Sequence, residues 1–122
     1  MDVTGPNEVT AALQGAYSGL LRAVELERRR TDHLVDTVAV VSDIHELRTL
    51  MSAAAQMMRS FDLLRYGDMV KWGPAGEPDN SGDLTPRQFV EAADADLGAA
   101  YEHLQRAADS LTAARRRLAV LG

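Results

Sequence analysis

Val90, Leu97, Leu104, Leu111 and Leu118 recur every seven residues, and Ala93, Ala100, Ala107, Ala114 and Leu121 fill the complementary places of the same heptads. A sustained seven-residue apolar repeat is the pattern of a helix that packs along one seam against another helix. Alanine on half of that seam leaves little side-chain volume, so a partner backbone can come close. The start of this helix is equally well marked. Thr85 suits the N-cap, Pro86 the first helical position and Gln88 the closing residue of a capping box, with Leu84 set to staple against Phe89. The pattern predicts a helix over 85–121.

The earlier block, from about 7 to 66, contains no proline and would be roughly 90 Å long as one unbroken helix. "ELERRRTDH" interrupts its apolar stripe, places arginines in a last turn and supplies Thr31 or Asp32 as a cap. A break or bend near residues 28–32 therefore suits the pattern, although no glycine or proline enforces one, and one helix or two both stay open. Beyond it, Ile44, Leu47, Met51, Ala54, Met58 and Phe61 make a stripe, flanked by Leu50, Met57 and Leu64, that should meet the Leu/Ala seam. If Arg65 and Pro86 lie near the loop end of an antiparallel hairpin, Arg59 falls near Glu91 and Asp94, and Arg115 to Arg117 approach Asp32 and Asp36. The expected fold is all-α: one domain over 1–122, an antiparallel helical hairpin or three-helix bundle with coiled-coil packing. A long acidic loop, 67–84, joins the last two helices and carries Trp72 as its one large aromatic residue. Trp72 there either caps the bundle end or contacts a partner.

Composition narrows the function classes. With 46% apolar and 25% charged residues, the 122-residue chain has the make-up of a soluble helical domain, and the absence of cysteine excludes disulfides and thiolate chemistry. No apolar run approaches the roughly 20 residues needed to span a bilayer, and the first ten residues have no signal-peptide pattern, so the expected location is cytoplasmic, with no membrane partner. A formal net charge of −5, with basic clusters only at Arg28 to Arg30 and Arg115 to Arg117, argues against nucleic acid. No metal or cofactor is expected. His33 with Asp32 and Asp36, or His103 with Glu102, offers two ligands at most, and Gly15 and Gly19 permit at best a close helix contact.

One short string suggests chemistry. "HELRT", His45 to Thr49, resembles the phosphoacceptor box of sensor histidine kinases of the HisKA class. The resemblance implies a helical hairpin in which His45 accepts a phosphoryl group, Glu46 orients it or takes its proton, and Thr49 positions water for dephosphorylation. The chain departs from that pattern at Leu50, where the family usually has proline, and at Ile44, where it usually has serine. No ATP-binding domain follows in these 122 residues, so the resemblance leads one to expect a relay, a substrate of another kinase, a decoy or a fragment. The plain alternative is that His45 is a solvated residue on a long helix. Two functions remain. The preferred one is a non-catalytic interaction or assembly module whose coiled-coil surfaces, with Leu97, Leu104, Leu111, Leu118 and Trp72 as contact residues, bind a partner protein or drive self-association to a homodimer. The other is a phosphotransfer module centred on His45, Glu46 and Thr49.

Overall fold

A computed structural model of the chain describes residues 6–30, 36–79 and 82–121. The fold is all-α: helix α1 (Pro6–Arg30), helix α2 (Thr37–Ser60), a 3-10 segment (Leu64–Met69) and helix α3 (Pro86–Ala119), with no strand among the described residues. The described residues of the block from 7 to 66 thus form α1, α2 and the start of the 3-10 segment. Thr31 and Asp32, the expected caps, and His33 lie outside the described residues. The chain divides into two compact units, residues 1–36 and 37–122.

The first unit is represented by α1. Glu8 sits in its first turn and Arg28, Arg29 and Arg30 in its last, each favourable to the helix dipole. Arg28 pairs with Glu25 and Arg30 with Glu27, both at 3.2 Å and one turn apart. Such exposed pairs contribute about 0–1 kcal/mol each. Val9, Leu13, Ala16, Leu20, Ala23 and Val24 fall on one side of this helix by its 3.6-residue period. All of them are exposed.

The second unit is an antiparallel pair of helices. An Arg59 guanidinium lies 4.9 Å from the centre of the Tyr101 ring, and Arg115 reaches His45. In both contacts the residue numbers total 160, which fixes the register. The register inferred from charge alone is therefore displaced by about two turns. Its cause is the early end of α2, which stops at Ser60 rather than continuing to Tyr66. The chain then turns through the 3-10 segment and runs back along the first turns of α3, where Gly67 is buried, Asp68 pairs with Arg87, and Trp72 meets Phe89 edge to face with ring centres 5.0 Å apart. Thr85 caps α3 as expected: its hydroxyl accepts from the Gln88 N–H at 3.2 Å and the Gln88 side chain accepts from the Thr85 N–H at 2.8 Å. A cap of this kind stabilises by about 1 kcal/mol.

The two helices are also rotated relative to expectation. The residues buried between them are Ala55 and Ala108, with Ile44, Arg48, Met51, Ser52 and Met58 half-buried on α2. Leu47, Leu50 and Ala54, placed by their spacing in or beside the seam, are exposed. On α3 the five heptad residues from Val90 to Leu118 are half-buried as expected, and so are Ala100, Ala107 and Ala114 of the complementary set; Asp94, Tyr101 and Arg115 join them and Ala108 is buried, while Ala93 and Leu121 are exposed. Two helices can cover only one strip of each other. An apolar stripe as wide as that of α2 leaves part of itself outside.

Candidate functional site

His45 stands exposed in the third turn of α2. Its Nδ1 lies 2.6 Å from Nη1 of Arg115, which α3 brings across. A guanidinium has no lone pair to offer, so Arg115 donates and Nδ1 accepts, which puts the ring proton on Nε2. In that form Nε2 carries the proton, and the lone pair a nucleophile needs, on Nδ1, is engaged by Arg115. The Thr49 hydroxyl donates to the His45 carbonyl oxygen at 3.1 Å, a bond within the helix that holds it against the backbone. Glu46 is exposed and, as the next residue, leaves the helix about 100° round from His45. The structure thus brings His45 to Arg115, an arginine that the sequence had assigned to pairing with acids. It does not gather His45, Glu46 and Thr49 round one point.

On the same side of the hairpin, Arg59, Asp62, Asp94, Tyr101 and Glu102 line an open cleft of about 570 Å³ floored by Met58, Leu97 and Gly98. Acids predominate, and Arg59 is taken up by the Tyr101 ring. The lining contains no histidine, serine or threonine to act as base or nucleophile. His103 and Glu102 are exposed on α3, and among the described residues no three histidine or acidic side chains are gathered as metal ligands.

The expected interaction residues separate into two groups. Leu97, Leu104, Leu111 and Leu118 are half-buried, each with one edge against α2 and one edge open. Trp72 is half-buried and spends its ring on Phe89. The residues that sequence reasoning placed in or beside the core and the structure leaves outside are Leu47, Leu50, Ala54, Phe61 and Leu64 from the first block, and Ala93 and Leu121 from the second. Their spacing gave a signal: Leu47 and Ala54, like Leu50 and Met57, repeat at seven. Among the described residues no helix is long and apolar enough to cross a membrane. No protein-family model, no curated protein and no solved structure matches this chain.

Proposed function

We propose that this chain is a non-catalytic helical assembly module that works by packing exposed apolar helix faces against other helices in coiled-coil fashion. The observation that carries this reading is the state of the core: among the described residues, only Ala55 and Ala108 are buried apolar residues and no large side chain is fully buried. Alanine burial alone supplies little hydrophobic stabilisation, whereas each fully covered leucine is worth about 1.5–3 kcal/mol. Leucines with one edge open gain the remainder when another helix closes over them. Sedimentation analysis of the purified chain and of Leu104→Glu tests the proposal. The wild type should self-associate or bind a partner helix, and a charge in the seam, costing several kcal/mol, should abolish both. Unchanged assembly in Leu104→Glu would sink the reading.

A second reading, with His45 as a phosphoacceptor, draws support from the exposure of the ring. The Arg115 contact opposes it. Incubation with a small phosphodonor, followed by intact-mass detection of acid-labile phosphate on wild type and His45→Ala, decides between them. Label on the wild type alone would replace the assembly reading. No label, with the donor active on a control, would leave His45 a surface residue.

A further inference from the structure

The contacts of the hairpin fix which way each helix faces. His45, Arg59 and Tyr101 mark one side of the α2–α3 pair. Following the 3.6-residue period from there, Leu47, Leu50 and Ala54 of α2 come out on the opposite side. Ala100, Ala107 and Ala114 of α3 come out on that same opposite side, because α3 runs antiparallel and its residues wind in the reverse sense when viewed from one end. One side of the hairpin is thus polar, and the other carries an apolar band, large side chains along α2 and small ones along α3, interrupted by Asp43, Asp96 and His103.

We infer that the occupant of this face is a second copy of the same hairpin, related by a two-fold axis parallel to the helices, so that α2 of each copy lies on α3 of the other. This rests on the assembly reading and names its partner. A two-fold axis in that direction keeps heights unchanged, so the register within one copy also holds between copies. Leu47 then comes level with the partner's Ala114, and Ala54 with the partner's Ala107. Leu50 and Met57 come level with the partner's Leu111 and Leu104. The seven-residue step is the same on both helices, so these layers stay in phase along the interface. Large against small at the first layer lets the helices approach, and the open edges of Leu104 and Leu111 are closed. Over the 24 residues of α2, the face is about 36 Å long and about 18 Å wide. Two copies would then bury about 1,300 Å² in total, within the range of stable interfaces.

Charge selects the same arrangement. Glu46 stands on the outer rim of α2, level with the partner's Ala114, and the partner's Arg117 lies one turn beyond on the facing rim. The two-fold axis makes this pair twice. The opposite choice, an axis across the helices, would lay α2 on α2 and remove Arg117 from the neighbourhood of Glu46.

Sedimentation velocity on the full chain, with circular dichroism alongside, tests the inference. The wild type should be a dimer, and Leu50→Glu, exposed within one copy, should be monomeric. Glu46→Arg and Arg117→Glu should each weaken the dimer about tenfold, and the two together should restore it, a rescue that mere misfolding cannot produce. Self-association that survives Leu50→Glu but is lost in Leu20→Glu would place the contact in α1, overturning this interface while keeping the assembly reading. A wild type that is monomeric and fully helical at about 100 μM, with a melting temperature independent of concentration, would overturn both.

Discussion

Arg48 shows how a single side chain records the way these helices settle. It lies on the α3-facing side of α2, half-buried, and its Nε is buried without a hydrogen-bond partner among the described residues. A buried donor left unmade costs about 1–3 kcal/mol, whereas an apolar side chain of similar length keeps the packing of the methylene stem and removes the debt. Arg48→Met is therefore expected to raise the urea midpoint by an amount corresponding to about 1 kcal/mol, at unchanged slope. A lowered midpoint would mean that the guanidinium makes a stabilising contact that methionine cannot replace. The same rotation that draws Arg48 inward turns Leu47 and Leu50 outward, so the cost at one residue and the opportunity at two others have one origin.

At the scale of the element, the register of α2 on α3 is the feature most open to test. The chain has no cysteine, so introduced thiols react without background. Cysteines at Ser52 and Ala108 sit level in the observed register, both on the packed side of their helices, and a short bifunctional thiol reagent should join them rapidly. The pair Ser52 and Tyr101 is the control: Tyr101 occupies the same position one heptad earlier, about 10 Å along the axis. Faster linking of the control pair would show that the helices sit one heptad out of the observed register. This is also where the sequence stops being sufficient. Helix α3 was legible to within a residue at its start, because Thr85, Pro86 and Gln88 each have a stereochemical job there. Its partner's alignment was not, because a heptad repeat looks the same after every seven residues and only the chain's turning point breaks the tie. That turning point, after Ser60, carries neither glycine nor proline: Phe61, Asp62 and Leu63 read as more helix, and the return path depends on Gly67 and Trp72 docking on the start of α3. The candidate site suffered likewise. His45 to Thr49 could be read as a string, but the approach of Arg115 from 70 residues away depends on that register.

For the whole molecule, the question is where stability comes from when so little is covered. A two-helix pair centred on two alanines gains little from burial. If assembly completes the core, folding and association are one equilibrium, and stability must depend on how much protein is present. For a dimer each tenfold rise in concentration adds about 1.4 kcal/mol, and for a domain of this size 1 kcal/mol moves the melting temperature by roughly 2–8 °C. Thermal unfolding followed by circular dichroism at about 5 and about 500 μM should therefore differ by several degrees or more, the concentrated sample melting higher. In Leu50→Glu the two curves should fall together at the lower temperature, because the charge removes association and leaves only what a single copy can hold. Coincident wild-type curves would place the stabilising contacts within one chain, and the exposed leucines would then have to be explained without a partner.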